Sequence, residues 1–320
     1  MKQAQENNIP HTTKMSRLAE ERGYKVKTYK KYRSVGIEIN HKYFWYTRCV
    51  PSFQSAANVS HAQNKDFAKQ IFFENDIPSA KYYLIENQDC LTASIDLHYP
   101  VVVKPTSDHG GAGVITNIPN EEKLRDILSS FHVFPILIEE NLLGNDYRIT
   151  CINHTVRAVA LRDPANIVGD GVNTIEELAR LKNIEKEKLN LDYIQLKQVE
   201  IEYLAENNLS IKSIPAVGEK IYLRNNCNMA TGGDTINIEL SDIHPENIKL
   251  FERISQIFNL NLIGLDVMAQ NLSEPITIQE NAGLIEVNHA PDLLIHLCPI
   301  EGKSVNLYNQ ILDVFEEMSI

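Results

Sequence analysis

The fold is decided by two neighbouring stretches of sequence, VVVKP at residues 101–105 and DHGGAG at residues 108–113. A continuous apolar run of this kind is typical of a buried strand, and VITNI at residues 114–118 predicts a second strand after the glycines. Glycine allows the backbone to approach a ligand closely and to direct its N–H groups at phosphate oxygens. The order therefore predicts a hairpin whose tip folds over nucleotide phosphates while Lys104 contacts them from the first strand. An ordinary surface hairpin is the alternative.

This glycine loop differs from the two commonest phosphate-binding motifs. A Walker A loop requires GxxxxGK[ST] before a helix, and the chain has no such segment here. A dinucleotide-binding loop requires GxGxxG before a helix, whereas Thr116 stands where the last glycine belongs and a strand follows. The loop is therefore interpreted as part of a strand–loop–strand unit.

Helical and strand-like patterns alternate on both sides of this hairpin. The first predicted helix, within residues 12–26, begins at a Thr cap and ends at Gly23, a common residue after a helix. Further helical patterns cover residues 64–78, 121–131, 174–208, 245–260 and 304–318, and strand patterns cover residues 26–32, 36–40, 42–47, 81–85, 134–152 (two strands and a link), 262–270 and 283–291. Because these elements do not follow a strict βαβ period, the pattern favours the α+β class.

The composition excludes several classes of protein. The chain has 320 residues, of which 43% are hydrophobic and 23% charged, as in ordinary globular proteins. Its formal net charge of −11 argues against binding to nucleic acid or to an anionic membrane. The first residues contain no apolar signal segment, and the five cysteines form no CxxC pair, so we expect a reduced, cytoplasmic protein.

Acidic residues mark the end of the strand that precedes the link. Glu139 and Glu140 are followed by Leu142, and Asp146 comes shortly afterwards. A strand that ends in carboxylates and backbone amides can bind the edge of an adenine, and a nearby Asp can accept hydrogen bonds from ribose hydroxyls. Solvated acidic strand ends are the alternative.

Three oxygen-bearing side chains lie in the apolar strands near the C-terminus. Asp266 lies in GLDV, and Glu286 and Asn288 lie two residues apart in IEVN, so the last two point to one face of a strand. Carboxylates in apolar strands are costly unless they are paired or bound to a cation. Oxygen ligands of this kind suit Mg²⁺ held jointly with substrate phosphates. Salt-bridged or edge-exposed carboxylates are the alternative.

A polar loop and the histidines complete the candidate residues. Arg224 begins a polar segment that reaches Thr231 and Gly232, and we expect a loop between helical segments that is either a substrate clamp or a long turn. His289 and His296 are seven residues apart, too loose a spacing for structural zinc.

The ordered set of motifs resembles the ATP-grasp superfamily. In particular it resembles the ATP-grasp part of cyanophycin synthetase and the similar lobe of bifunctional glutathione synthetases, from about residue 13 to the end of the chain. The motifs that carry the resemblance are, in order, Lys65, VVVKP with its glycine loop, IEE, GNDYR, VGDGVNTIEEL, NMATGG, GLDV and EVNHAP.

The resemblance implies three lobes, with the nucleotide held between the middle and last. These would be an N-terminal lobe at residues 1–60, a middle lobe with the glycine loop at residues 61–139, and a C-terminal lobe with the metal and substrate sites at residues 140–320. A homodimer is expected from the resemblance alone.

The resemblance also implies a role for individual residues. It assigns phosphate contacts to Lys65 and Lys104, a phosphate cover to Gly110, Gly111 and Gly113, adenine contacts to Glu139, Glu140 and Leu142, a ribose contact to Asp146, and Mg²⁺ ligation to Asp266, Glu286 and Asn288. It further assigns neutralisation of phosphoryl and carboxylate oxygens to Arg148, Arg162 and Arg224. Two metal ions are expected, with Mn²⁺ as a substitute for Mg²⁺.

The implied function is an ATP-dependent carboxylate–amine ligase that joins amino acids or short peptides through an acyl phosphate. The alternatives are a non-catalytic ATP-binding regulatory or scaffold subunit, and a kinase that stops at phosphoryl transfer. His289 and Asp292 stand where the cyanophycin-type pattern has Ala and Gly. We therefore expect them, with Thr231 and Gly232, to contact the substrate, and their departure from that pattern leaves the identity of the substrate open. The Mur-ligase-like domain of cyanophycin synthetase and the glutamate–cysteine ligase module of bifunctional glutathione synthetase are missing from this sequence, so we expect no polymer synthesis by two alternating ligase sites in this chain alone.

Overall fold

The structure is a computed structural model that describes residues 10–87, 96–106, 113–132, 134–189 and 191–320. The chain forms two compact units that alternate along the sequence. The first unit consists of the described parts of residues 1–53, 157–241 and 290–320, and the second consists of those of residues 54–156 and 242–289. The division into three lobes therefore stays a prediction.

Antiparallel strands dominate both units, which confirms the α+β class. In chain order the strands are β1 (Lys25–Tyr29), β2 (Ser34–Ile39), β3 (Lys42–Thr47), β4 (Val50–Pro51), β5 (Tyr82–Ile85), β6 (Val101–Pro105), β7 (Ile115–Ile118), β8 (Ile136–Glu140), β9 (Asn145–Ile152), β10 (Thr155–Asp163), β11 (Asn166–Val168), β12 (Lys220–Tyr222), β13 (Asp234–Ile238), β14 (Leu262–Ala269) and β15 (Gly283–Asn288).

Helices form in each of the predicted segments, and two more, at Ala56–Gln63 and Leu294–Leu297, were not predicted. In chain order they are α1 (His11–Glu21), α2 (Ala56–Gln63), α3 (Lys65–Glu74), α4 (Glu121–Ser129), α5 (Ile175–Leu189), α6 (Gln198–Glu206), α7 (Pro245–Phe258), α8 (Leu294–Leu297) and α9 (Leu307–Ser319). The expected Thr cap of the first helix is wrong, because Pro10 occupies the cap position and Thr12 lies inside the helix. None of the helices among the described residues is long and apolar enough to cross a membrane.

The segment 174–208, predicted to be helical throughout, forms two helices instead of one. The Asn183 side chain donates to the Ile194 carbonyl oxygen at 2.9 Å and accepts from the Ile194 N–H at 2.8 Å. These bonds use backbone groups that a continuous helix would need for itself. They hold Ile194 in the core of the first unit, where its side chain is 4% exposed, so the chain leaves the helix before α6 begins.

In the second unit two antiparallel sheets bring the predicted site residues onto regular strands. One sheet has the order β5-β8-β6-β7, and its apolar side chains pack with Leu124 and Leu128 of α4 into one core. In the other, β14 lies between β9 and β15. Asn64 caps helix α3, because its side-chain oxygen accepts from the Phe67 N–H at 3.0 Å.

In the first unit the strands β1 to β4 form an antiparallel meander, β11 pairs with β12, and β13 pairs with β10. The polar loop that begins at Arg224 therefore lies between two strands, β12 and β13. The expected flanking helices are wrong. The sequence analysis predicted none of the strands β10 to β13.

Candidate nucleotide and metal site

Lys104 and Glu139 lie on neighbouring strands of one sheet. Lys104 of β6 is opposite Leu137 of β8, and Glu139 is opposite Val102, so the two charged residues are diagonal neighbours on the same face. Their side chains are almost completely buried, and Lys104 Nζ lies 2.7 Å from Glu139 Oε1. The strand end that the sequence singled out is therefore a buried ion pair.

Helix α3 supplies two more lysines to the same place. Lys65 Nζ donates to the Pro105 carbonyl oxygen at 3.4 Å, next to Lys104 on β6. One helical turn later, Lys69 Nζ lies 3.2 Å from Glu139 Oε2, and its side chain is 2% exposed. The structure thus brings the predicted Lys65 and Lys104 together, and it adds Lys69, which the sequence analysis missed.

Burial and charge act in opposite directions on this cluster. Burial lowers the pKa of Lys69 to about 8, although the Glu139 carboxylate opposes that change. Burial raises the pKa of Glu139, but Lys69 and Lys104 together outweigh it and hold that pKa below its ordinary value. At pH 7 the cluster therefore contains an ionised carboxylate and a protonated Lys69.

The other residues predicted to bind ATP lie near these strands or outside the described part of the chain. Gly113 has a left-handed φ of 69°, which suits glycine, whereas Gly110 and Gly111 lie outside the described residues. Glu140 Oε1 accepts two hydrogen bonds from His98, one from its backbone N–H and one from its ring Nδ1, each at 2.9 Å. Leu142 is half-buried just after β8, and Asp146 is half-buried near the start of β9.

Asp266, Glu286 and Asn288 meet on one face of the second sheet. Asp266 of β14 is directly opposite Glu286 of β15, and Gly264 is opposite Asn288. The Asn288 Nδ2 group donates to Asp266 Oδ1 and to Glu286 Oε1, each at 3.3 Å. The register therefore assembles the three predicted metal ligands into one cluster.

Arg148 adds a positive charge to this cluster. It is opposite Asp266 on β9, and its guanidinium binds that carboxylate through Nε to Oδ1 and through Nη2 to Oδ2, the latter at 3.1 Å. Both side chains are buried, at 10% and 6% exposed. A two-point contact of this kind fixes the Asp266 carboxylate, so the side chain is ordered before any ligand arrives.

The donor set is compatible with Mg²⁺ that shares its ligands with a phosphate. Within the described ranges, no three His, Cys, Asp or Glu side chains are grouped to hold a metal ion by themselves. Two carboxylates and one amide provide only oxygen donors, which Mg²⁺ prefers, and Mg²⁺ normally completes its shell with water and substrate phosphate. The residues present therefore fit the ion, provided that a phosphate is also bound.

Arg162, Arg224, Thr231 and Gly232 all lie in the first unit. Arg162 is half-buried on β10, opposite Thr235 of β13. Arg224 Nε lies 2.9 Å from Glu200 Oε1 of α6. The Thr231 hydroxyl is 2.8 Å from the Asn228 carbonyl oxygen, which contributes to the turn.

A buried polar network supports the strand that follows this turn. Lys186 Nζ lies 2.7 Å from Asp234 Oδ1 and donates to the Gly233 carbonyl oxygen at 3.0 Å. Lys182 binds the other Asp234 oxygen at 2.5 Å, and Asn166 Nδ2 donates to that oxygen at 3.1 Å. Because each buried charge has a partner, the network fixes the position of the predicted substrate turn.

Gly232 should not tolerate a side chain. Its φ is +89°, and an added Cβ would lie 2.7 Å from the Ile194 Cα. We expect Gly232→Ala to lower the free energy of unfolding by more than about 1 kcal/mol, because both the left-handed backbone and the backbone contact oppose it. Denaturant unfolding measures the change, with Gly218→Ala as the control. Gly218 has a similar φ of +79° but nothing within 4 Å of the added Cβ. Equal losses in the two variants would show that the contact with Ile194 is unimportant.

His289 and Asp292 have structural partners of their own. His289 Nε2 lies 3.3 Å from Gln63 Nε2 of α2. Asp292 Oδ1 accepts from the Leu294 N–H at 2.8 Å and lies 3.4 Å from His11 Nε2. The Asp292 side chain therefore accepts from the first residue of the short α8, and, half exposed to solvent, it keeps one oxygen that these two contacts do not use.

The chain is similar to known proteins over most of its length. It is 35% identical to the bifunctional glutathione biosynthesis protein of Clostridium perfringens over 266 residues, which are 79% of this chain. It is 30% identical to the cyanophycin synthetase of Synechocystis sp. over 279 residues, 83% of this chain. A crystal structure of a bifunctional glutathione synthetase from Pasteurella multocida has the same fold over 97% of this chain, with a TM-score of 0.76 and 26% identity. The chain belongs to the ATP-grasp superfamily. No protein-family model matches it.

The relatives of this ATP-grasp chain are much longer proteins. The chain spans about a third of each of the two matched sequences, namely 34% and 31%, and 45% of the Pasteurella chain. Assignment to the ATP-grasp superfamily agrees with the motif order and with the α+β fold.

Proposed function

We propose that this chain is an ATP-dependent carboxylate–amine ligase that joins amino acids or short peptides. The observation that carries the proposal is the pair of clusters in the second unit. One contains Lys69, Lys104 and Glu139, and the other contains Asp266, Glu286 and Asn288 with Arg148. Lysines suit the phosphates of ATP, and the oxygen donors suit the metal that accompanies them.

In the proposed reaction a substrate carboxylate attacks the γ-phosphorus of ATP, and the bond to the β-phosphate oxygen breaks to release ADP. The resulting acyl phosphate is attacked by an amine, which forms the amide, releases phosphate and loses one proton. Catalysis would consist mainly of positioning and charge neutralisation. Lys65, Lys104, Arg148, Arg162 and Arg224 would supply positive charge, and the loop at Gly110, Gly111 and Gly113 would exclude water from the acyl phosphate.

Asp266, Glu286 and Asn288 would hold Mg²⁺. Two metal ions are proposed in all, and Mn²⁺ would substitute for Mg²⁺. The metal would supply positive charge that offsets the charge on the phosphates. Arg148 would keep the Asp266 carboxylate in place while it does so. Glu140, Leu142 and Asp146 are proposed to contact the adenosine, together with the backbone at Glu139.

The substrates are proposed to be small molecules. The Clostridium perfringens relative is named for glutathione biosynthesis, and glutathione is a tripeptide, which supports amino acids and short peptides as substrates. We further propose that the protein works in the cytoplasm, without nucleic acid or membrane, as a homodimer. Sedimentation analysis would test the dimer.

The decisive experiment is a matrix of amino acids and dipeptides scored by ADP release, with products identified by mass. A ligase releases ADP only when both a carboxylate and an amine substrate are present, and the product mass equals their sum minus water. A kinase would release ADP with the acceptor alone and would give a phosphorylated product. A regulatory ATP-binding subunit would bind ATP and release no ADP under any combination.

His289 and Asp292 are proposed to select the substrate. Asp292 has an oxygen for a substrate ammonium group, and His289 can hydrogen-bond a carboxylate, so a site built on them would reject analogues that leave them unpaired. We expect the variant with His289→Ala and Asp292→Gly to change the ranking of substrates while ADP formation at saturation stays close to wild type. Asp292→Asn is the matched control, because it removes the charge and keeps an oxygen for the Leu294 N–H. An unchanged ranking in the double variant would mean that both residues only form a solvated turn.

A further inference from the structure

The further inference concerns Lys69, a buried lysine that the ordered motifs do not include. Lysine is rarely buried unless it has a partner, and the partner of Lys69 is Glu139 at 3.2 Å. Glu139 also has Lys104 at 2.7 Å on its other oxygen. One carboxylate is therefore shared by two lysines inside the protein.

Charge counting shows what the second lysine contributes. If Glu139 faced Lys104 alone, the two charges would cancel, and the pair would offer little attraction to a phosphate. With Lys69 present, Lys69, Lys104 and Glu139 together carry one net positive charge, and Lys65, on the Pro105 carbonyl oxygen, adds its charge in either case. In a buried place, where charges are poorly screened, that difference strongly affects the binding of an anion.

We propose that Lys69 is a positioning residue that neutralises Glu139 and so leaves the charge of Lys104 available to a phosphate group of the nucleotide. The inference rests on the proposed function, because it takes ATP as the ligand of this cluster. It assigns Lys69 no contact with the reacting atoms.

The surroundings of Lys69 support this role. Its pKa, lowered to about 8 by burial, still leaves the ammonium group protonated at pH 7. Glu286 on β15 also attracts it, although more weakly than Glu139 does. The Phe72 ring, centred 5.9 Å from Lys69 Nζ, covers the cation from the side of the same helix. The lysine thus stays charged without contact with bulk water.

The test compares ATP affinity in four proteins by calorimetry with Mg²⁺ present: the wild type, Lys69→Met, Glu139→Gln and the double variant. In Lys69→Met the charges of Lys104 and Glu139 cancel, and in the double variant Lys104 again carries an uncancelled positive charge. We expect Lys69→Met to bind ATP about tenfold or more weakly, the loss typical of one charged interaction, and the double variant to recover most of it. We expect Glu139→Gln alone to have a lower melting temperature, because two buried lysines then repel.

A purely structural role for Lys69 would lower the melting temperature of Lys69→Met without weakening ATP binding by the folded protein. Lys249→Met is the control, since Lys249 is an exposed lysine on helix α7 of the same unit. Its ATP affinity should equal that of the wild type.

Two results would overturn the inference: unchanged ATP affinity in Lys69→Met, or a double variant that binds as weakly as Lys69→Met. If Lys69→Met does not fold, the double variant alone tests the proposal, since it contains no unpaired carboxylate. ATP binding by the double variant that is about tenfold weaker than in the wild type would then contradict the proposal. A wild-type protein that binds no ATP would refute the proposed function itself, and this inference with it. ATP binding by the wild type with no effect of Lys69 refutes only the inference.

Discussion

Glu286→Gln is expected to lower ADP formation by about 10²-fold or more while the protein remains folded, since losing one preorganised charge contact in an active site has effects of this size. The amide has nearly the same shape as the carboxylate but no charge for a cation. Glu286 is a better choice than Asp266 for this test. Asp266→Asn would also leave the buried Arg148 guanidinium without its carboxylate partner, so loss of activity and loss of stability would be mixed.

ADP release measured across a range of Mg²⁺ concentrations checks this prediction, with the melting temperature recorded for each protein. Glu122→Gln is the matched control, because Glu122 is an exposed acidic residue in the first turn of α4 in the same unit. The metal assignment would be contradicted by wild-type activity in Glu286→Gln, or by wild-type activity in excess chelator.

Lys104→Met is expected to weaken ATP binding by about tenfold or more, the loss typical of a charged contact, and to lower turnover as well. The fold should survive, because Glu139 keeps Lys69 as a partner at 3.2 Å. Loss of an exposed lysine usually changes stability by no more than about 0.5 kcal/mol. A large loss of affinity at constant melting temperature would therefore assign Lys104 to the nucleotide.

Calorimetric ATP affinity is the measurement for this prediction, and Lys123→Met, which changes an exposed lysine of α4, is the control. The same ATP affinity in Lys104→Met and in the wild type would mean that Lys104 is only a strand-end lysine. It would also mean that the glycine loop after it is an ordinary hairpin.

The sequence by itself determined the residues whose identity is tied to a local pattern. The apolar run around Lys104, the apolar strands with Asp266 and Glu286, and the periodicity of helices such as α3 all depend on neighbours within a few positions. For the same reason the order of the motifs was enough to indicate the ATP-grasp superfamily and the α+β class. These features required no knowledge of distant contacts.

Only the tertiary structure decided which of these residues share a partner. Lys69 had one local signal, its position four residues after Lys65 on the same helix face, but nothing in the sequence shows that Glu139, seventy residues away, lies between it and Lys104. Likewise Arg148 pairs with Asp266 because β9 and β14 adopt one particular register. A one-residue slip would turn those side chains to the opposite face, and that register is set by long-range packing.

The same reason explains the segment 174–208. Its periodicity predicted an uninterrupted helix, but the bonds between Asn183 and Ile194 place Ile194 in the core and against Gly232. Local propensity is a weak preference of at most about 0.7 kcal/mol per ordinary residue, and burial of Ile194 together with two hydrogen bonds exceeds it. Periodicity thus determined where helix is favourable, and packing between residues distant in the sequence decided where the helix ends.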